Sequence, residues 1–399
     1  MMKKLALQWF IEQNKDWESI LSSKPYCLNI SRENIFGKNL ILFKYDAIET
    51  EWDKCGRVAW EARGIVLDED TLEVVNYGFD KFFNSHEPYA DEIDSNSMIS
   101  STKIDGSIIK IRKFSDDNLL ISTNGCINAY HTEIQSQVGS PYKYFGEIVE
   151  KVLVDKFGSI EVFKHYLDTD KTYIFELVSP WTRVCTPYPE DDMYLIGCRT
   201  LSPENNFMEI PFWKCSLKEY FPIPEILNFS SIDKCLEYAK TLDWTNEGYV
   251  IVDKYFKRVK CKNPEWLTVH HLVDNHTLSY KRAIELIRSN EKEEVLSYFP
   301  EFKERIHDIE VQYNNYIADI AKFENEINEY IKANGYDKQH WLIENGGADR
   351  KVIASWIMST NKSLSGFAFG YIDGKFKSAK EYVDAFSISK LVIALGYKD

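Results

Sequence analysis

The sequence predicts an α+β domain followed by an all-helical domain. Up to about residue 264, short apolar runs of strand length alternate with turn signals and occasional helical patterns. Beyond that point the strand-like runs stop and long amphipathic patterns begin, which sets the domains at 1–264 and 265–399. The 399 residues, 44% hydrophobic and 28% charged, match a globular chain of two or three domains with ample core.

Residues 1 to about 22 read as an amphipathic helix with Leu5, Trp9 and Ile20 turned inward. Short β-like runs follow between Leu28 and Tyr45, such as Leu40-Ile41-Leu42-Phe43. Arg63-Gly64-Ile65-Val66-Leu67-Asp68 is a strand, and a turn leads from it to Val74-Val75-Asn76-Tyr77. Met98–Thr102 and Ile108–Ile111 are strand-like and flank a tight turn, Lys103-Ile104-Asp105-Gly106-Ser107. Leu119–Thr123 ends at Asn124-Gly125, a strong turn signal. Tyr144, Ile148, Val149, Val152 and Leu153 fall at helical spacing within 143–167. Strands are expected at 172–178, 193–198 and 247–252, with a helix near 231–240 before the last. In Phe256–Lys262 basic residues alternate with others, so the lysines share one strand face. The later helices are expected at 278–289, 291–299, 301–334, 348–359 and 378–395, with a Gly-rich break at Asn345-Gly346-Gly347. There is no internal repeat and no low-complexity segment.

Composition narrows the function. A net charge of −14 argues against a protein that coats nucleic acid nonspecifically, but allows an enzyme with a local basic groove. Eight cysteines without a C-x-x-C pair suggest neither a zinc site nor a disulfide framework, and fit a reducing compartment. Met1-Met2-Lys3-Lys4 and the apolar residues after it imitate a signal peptide, but Gln8 and the charged residues that follow interrupt it. No apolar stretch approaches transmembrane length, so no membrane is expected as a partner. The expected location is the cytoplasm, or the host's cytoplasm for a chain of phage origin.

Neither G-x-x-x-x-G-K-[ST] nor G-x-G-x-x-G occurs in a setting that would bind phosphate. His270, His271 and His276 cluster without metalloprotease spacing and read as structural or interfacial. What remains is a set of charged residues on or beside strands: Arg63, Lys81, Lys103, Asp105, Glu176, Glu247, Lys260 and Lys262. Each alone could be a solvated edge or turn residue. Together, beside apolar strands, they suggest groups that are paired or functional. Lys103 is thus either a turn residue or a nucleophile, and K-x-D-G alone does not decide between them. A lysine attacks phosphorus only as the free amine, so it needs burial, neighbouring cations or a metal. Lys260 and Lys262 would supply positive charge, and Glu176 and Glu247 could hold a ribose hydroxyl and a Mg²⁺ ion.

The ordered series Lys103-Ile104-Asp105-Gly106-Ser107, Phe175-Glu176-Leu177-Val178, Glu247-Gly248-Tyr249-Val250 and Lys260-Cys261-Lys262 resembles the motifs of the covalent nucleotidyltransferases, the superfamily of polynucleotide ligases and capping enzymes. Arg63-Gly64-Ile65, Lys81-Phe82-Phe83-Asn84 and Pro180-Trp181-Thr182-Arg183-Val184 look like elements of its RNA ligase 1 branch. So do Ser107 and Ile108 after the first motif, and more weakly Asp349-Arg350-Lys351. The resemblance implies a nucleotidyltransferase domain of antiparallel sheets flanked by helices, followed by an all-helical domain.

It also implies an ATP-dependent RNA ligase. Lys103 would attack ATP to form lysyl-AMP, AMP would pass to an RNA 5′-phosphate, and a 3′-hydroxyl would then seal the strand. By the same resemblance Lys260 and Lys262 bind the α-phosphate, and Arg63 and Lys81 contact phosphates. Glu176 contacts the ribose, and Glu247 supports Mg²⁺ or Mn²⁺. Asp105, Gly106, Gly248 and Val250 belong to the ATP site, the glycines permitting close backbone approach and Val250 packing on adenine. Phe83 is either a functional aromatic or a core residue. Asn124 departs from the pattern, which often has a basic residue before that glycine; Lys110 and Arg112 are candidate substitutes. The implied partners are ATP, single-stranded or nicked-loop RNA such as tRNA, and an RNA end-healing kinase or phosphatase. The helical domain would select RNA or bind a repair partner, with Lys351, Lys362, Lys375 and Lys377 either a basic patch or scattered surface charges. Competing readings are a DNA or cap-type nucleotidyltransferase and a catalytically idle nucleic-acid-binding protein.

Overall fold

The computed structural model describes residues 4–134, 140–271, 278–289, 291–335 and 348–398. It divides into two compact units, Met1–His271 and Leu272–Asp399. The helix Pro264–His270 falls in the first unit, which puts the division at 271/272, within the stretch 264–275 where the strand-like runs give way to helical patterns. The reason is Trp266, which is buried and bonded to the turn that carries Lys103.

Among the described residues of the first unit there are fourteen strands. They are β1 (Leu28–Ile35), β2 (Lys38–Tyr45), β3 (Arg63–Asp68), β4 (Val74–Asn76), β5 (Phe83–Asn84), β6 (Ile99–Thr102) and β7 (Ser107–Lys113). Then come β8 (Leu119–Thr123), β9 (Lys171–Val178), β10 (Asp192–Thr200), β11 (Glu209–Pro211), β12 (Ile226–Leu227), β13 (Gly248–Val252) and β14 (Arg258–Lys262). They form three sheets, ordered β1-β2-β3-β4, β11-β10-β9-β7-β8 and β12-β6-β13-β14-β5. Every pairing is antiparallel except β14 with β5.

Period-two alternation decides which face of each sheet meets a helix. In the second sheet Ile109 and Ile111 of β7, with Tyr173, Phe175 and Leu177 of β9, pack on Ile148, Val149, Val152 and Leu153 of the helix Phe145–Phe157. That helix starts where the Glu147 carboxylate accepts the Lys143 and Tyr144 N–H groups at 2.6 and 2.9 Å. It stops at Gly158, whose φ of +79° suits a glycine. In the third sheet Tyr249, Ile251, Val259 and Cys261 pack on Cys235 and Ala239 of the helix Ile232–Ala239. The intervening residues Ile108 and Glu176, with Val250, Arg258, Lys260 and Lys262, therefore occupy the opposite faces.

The N-terminal segment differs from expectation. The helix breaks after Gln13 and restarts at Trp17, which changes its phase. Leu7, Ile11 and Leu21 point into the core with Phe43 and Ile65, while Trp9 and Ile20 are exposed.

In the second unit the 31-residue helix Lys303–Ala333 buries Ile306, Ile309, Tyr313, Ile320, Phe323 and Ile327 along one stripe. Arg288 ties the helix Tyr280–Ser289 to the chain end of Ala379–Asp384, donating to the Phe386 and Asp384 carbonyls at 3.0 and 2.5 Å. Lys351, Lys362, Lys375 and Lys377 are all exposed. The expected Gly-rich break at 345–347 and His276 lie outside the described residues, as do the side chains of Asp349 and Arg350. No described helix is long and apolar enough to cross a membrane.

Candidate active site

Lys103 sits in the turn between β6 and β7, and two close backbone approaches hold that turn. Its N–H donates to the Gly248 carbonyl at 2.8 Å. Gly248 has φ +122°, and a Cβ there would run into the Cys261 carbonyl of β14. A Cβ on Gly106 would collide with the Leu177 carbonyl of β9. Both glycines thus stand at close backbone approaches, here between strands.

Asp105 differs from expectation. Its buried carboxylate accepts N–H groups from Cys185 at 3.0 Å, Thr186 at 2.7 Å and the Trp266 indole at 3.1 Å. Its work is to tether the Lys103 turn to two distant segments. Trp266 had no sequence signal beyond its aromatic character. His270 stacks on Trp266, ring centroids 4.6 Å apart, in keeping with a structural histidine.

The ionic centre joins the lysine turn to the two strands that carry the other motifs. Lys103 Nζ donates to Glu247 Oε2 at 2.6 Å, and Lys262 Nζ lies 2.9 Å from Glu247 Oε1. Burial raises the Glu247 carboxyl, but Lys103 and Lys262 outweigh it and hold the group below the ordinary range. Burial alone would lower Lys103, yet Glu247, Glu176 and Asp105 raise it, so the resting side chain is an ammonium. Glu176, on the inner face of β9, is pushed up to about 8 by burial, with Glu247 and Asp105 adding to the shift and Lys103 opposing it. Lys260 moves the other way, to about 6, through burial beside Arg63, Lys81, Lys103 and Lys262. The site thus moves Lys103 and Lys260 in opposite directions and raises the Glu176 carboxyl while Glu247 is held low.

A cavity of about 740 Å³ opens beside Lys103. Arg63, Lys103, Gly106, Glu176 and Asn124 line it, with Ile108, Ile196 and Val250 as apolar walls. Phe82 and Phe79 close its back with Arg258, which lies between their rings at 5.4 and 4.4 Å and pairs with Glu209. A flat apolar slot ending in cations and carboxylates suits a nucleotide whose base enters the slot and whose phosphates meet the charges.

Phe82 lines the cavity, and its neighbour Phe83 does not. Phe83 is buried against Trp52, Trp60 and Tyr89, the core alternative. There it forms a cage around Lys81, whose Nζ lies 4.7 Å from Phe83, 5.1 Å from Trp52 and 5.4 Å from Tyr45. Burial, with Arg63 adding to it, lowers the Lys81 ammonium. Lys110 and Arg112 are both committed elsewhere. Lys110 is fully buried with its Nζ on the Gly64 carbonyl, and burial, then Arg63, lower it to about 7. Arg112 donates to the Val75 carbonyl at 2.7 Å. Arg258 was readable only as part of the alternating basic face of β14 and Ile196 only as an apolar strand residue, while Phe82 and Ile108 stood in the family motifs without a role in the cavity.

Among the described residues no group of three or more His, Cys, Asp or Glu side chains could hold a metal unaided. Glu247, with Glu176 nearby, does fit a hydrated Mg²⁺ or Mn²⁺ held mainly by water and phosphates, the usual arrangement for such ions.

The family model described as RNA ligase, of the T4 type 1 class, matches residues 61–266, more than half of the chain. An RNA ligase of Rhodothermus phage RM378 is 24% identical over 348 residues, covering 73% of this chain and 77% of that protein. A protein of Autographa californica nuclear polyhedrosis virus, by name a bifunctional polynucleotide kinase/RNA ligase, is 26% identical over 290 residues. That match covers 68% of this chain and only 39% of the viral protein's length. An archaeal ATP-dependent RNA ligase structure aligns with a TM-score of 0.42 and 14% identity, over 79% of this chain and 83% of that one.

Proposed function

Because the chain belongs to the T4-type RNA ligase family, we propose that it is an ATP-dependent RNA ligase joining 5′-phosphate and 3′-hydroxyl RNA ends through lysyl-AMP and RNA-adenylate. The observation that carries the reading is the Lys103–Glu247–Lys262 centre, whose Lys103 lines an apolar cavity of nucleotide size.

The residues divide the work. Ile108, Ile196 and Val250 take the adenine by burying its faces. Glu176 sits where a ribose hydroxyl can donate to or accept from its carboxyl. Arg63, Lys260 and Lys262 surround the α-phosphate and stabilise the charge that builds on its oxygens during displacement. Lys103 must shed a proton before it attacks. The Glu247 carboxylate that holds the ammonium is the nearest acceptor, at 2.6 Å. Glu247 would also hold a divalent ion, whose charge screens the phosphates and favours the neutral amine. Attack forms the Nζ–P bond and releases pyrophosphate. The AMP then moves to the 5′-phosphate oxygen of RNA, and in the last step the 3′-hydroxyl displaces AMP.

The substrate we assign is broken single-stranded RNA, with tRNA repair as the setting. An end-healing kinase supplies the 5′-phosphate, a pairing supported by the viral relative whose name joins a polynucleotide kinase to an RNA ligase. The test is joining of 5′-phosphorylated strands with ATP and Mg²⁺. RNA ends should join and blunt DNA duplexes should not; label from GTP alone would favour a cap-type enzyme.

A further inference from the structure

Lys44 has no part in the site described so far, yet it stands at its rim. On β2 it is the register partner of Arg63 on β3, just past a bulge at Gly64 that brings the two residues opposite each other. Arg63 lines the cavity. From across the cavity mouth the turn at Asn124–Gly125 closes on the same place. Asn124 lines the cavity, and a Cβ on Gly64 would collide with its backbone. Lys44 Nζ lies 3.5 Å from where a Cβ of Gly125 would stand. The turn itself is fixed by Thr123 Oγ1, which accepts the Gly125 and Cys126 N–H groups at 3.1 and 3.0 Å.

The other cations of the site are already engaged. Lys103 and Lys262 meet Glu247, Lys81 is ringed by aromatics, Arg63 lies over Phe82, and Lys110 holds the Gly64 carbonyl. Lys44 is exposed and its side chain makes no ion pair or hydrogen bond among the described residues, though its charge adds to the backbone hydrogen bonds that hold the Asp46 carboxyl below the ordinary range. Its neighbour Asp46 spends its carboxylate on the Ile48 and Glu49 N–H groups at 2.8 and 2.9 Å. A bland reading would make Lys44 a solvated strand-end lysine. Against it stands a fixed turn at its Nζ, whose Asn124 lines the cavity beside Arg63.

We propose that Lys44 is a phosphate-binding residue of this site, supplying at the Asn124 turn an ammonium for a phosphate entering the cavity there. This rests on the ligase reading and extends it to a residue outside the motifs. The phosphate belongs either to the ATP polyphosphate or to the RNA 5′-end, and a lysine serves both as a compact, rotatable point charge.

The test uses the full chain with Lys44→Met and Lys44→Arg, in two separate assays. One is lysyl-AMP formation over a range of ATP concentrations. The other is AMP transfer from preformed lysyl-AMP to 5′-phosphorylated RNA. Loss of one charge-assisted contact should slow one of them by about tenfold to a hundredfold in Lys44→Met, with Lys44→Arg recovering most of the rate. A raised KM for ATP with normal transfer identifies the polyphosphate; slow transfer with normal lysyl-AMP formation identifies the RNA 5′-phosphate. Adding Asn124→Lys to Lys44→Met should restore the slowed step, which a merely structural role for Lys44 would not allow. Wild-type rates for Lys44→Met in both assays overturn the proposal. If the wild type itself forms no lysyl-AMP, the ligase reading is what fails.

Discussion

Replacing Glu247 with Gln removes the charge between two ammonium groups, and the structure says what that should cost. The carboxylate is 5% exposed, and its partners Lys103 and Lys262 are 20% and 19% exposed. Removing one partner of a buried ion pair costs about 3–5 kcal/mol, because the other charge stays behind. Here two lysines stay behind, but both keep some contact with water and the amide oxygen still accepts from one. The expected loss is therefore near the lower end, about 3 kcal/mol, or about 1 M in the urea midpoint of the first unit's transition.

The pH dependence adds a second check. Glu247 is held below the ordinary carboxylate range, so its contribution is present above the unfolded value of about 4.3 and disappears as pH falls through the lower folded value. Lys103 is held above its ordinary value, so its contribution is present below about 10.4 and is lost as pH rises through the higher folded value. The gap between wild type and Glu247→Gln should be flat from about pH 5 to 9 and close in acid. Lys103 should also become more reactive toward an amine-directed acylating reagent at pH 8, read by mass spectrometry. No gap at pH 7, or one that widens toward pH 3, would refute the assignment of Glu247 as the clamp on Lys103.

Lys260 is lowered to about 6, so above that pH it is mostly neutral until a phosphate draws a proton back. ATP binding at pH 7 should take up about one proton, seen by calorimetry in buffers of different ionisation enthalpy, with affinity falling from pH 6 to 8; Lys260→Met should abolish the uptake. Gly106→Ala should part β7 from β9, costing about 1–3 kcal/mol in a denaturation curve and most of the lysyl-AMP rate. Trp266→Phe removes one of the three donors to the Asp105 carboxylate. It should lower stability by about 1.5–3 kcal/mol and slow lysyl-AMP formation without changing which nucleotide is used.

The lysine and its charged company were legible because strand periodicity and motif order depend on residues close in sequence. Alternation alone placed Lys260 and Lys262 on one face of β14. What was not legible depends on pairing across long separations. Phe82 and Phe83 are adjacent aromatics, and only the parallel pairing of β5 with β14 decides which one faces the cavity. Asp105 looked like a ligand because nothing local reveals that Cys185, Thr186 and Trp266 fold back onto it. Lys110 and Arg112 looked available because burial and backbone partners are invisible in an alternating strand. Lys44 carried no motif at all; its place follows from the β2–β3 register. In the N-terminal segment Leu7 and Ile11 rather than Trp9 face inward within Ala6–Gln13, and a break at residues 14–16 shifted the phase that had put Ile20 inside.

The most direct test of the central claim is peptide mapping of the protein after incubation with α-labelled ATP and a divalent ion. Acid-labile, alkali-stable AMP is expected on the peptide carrying Lys103, as a phosphoramidate requires, with none formed by Lys103→Ala. Label on another residue, or label that persists in Lys103→Ala, would contradict it.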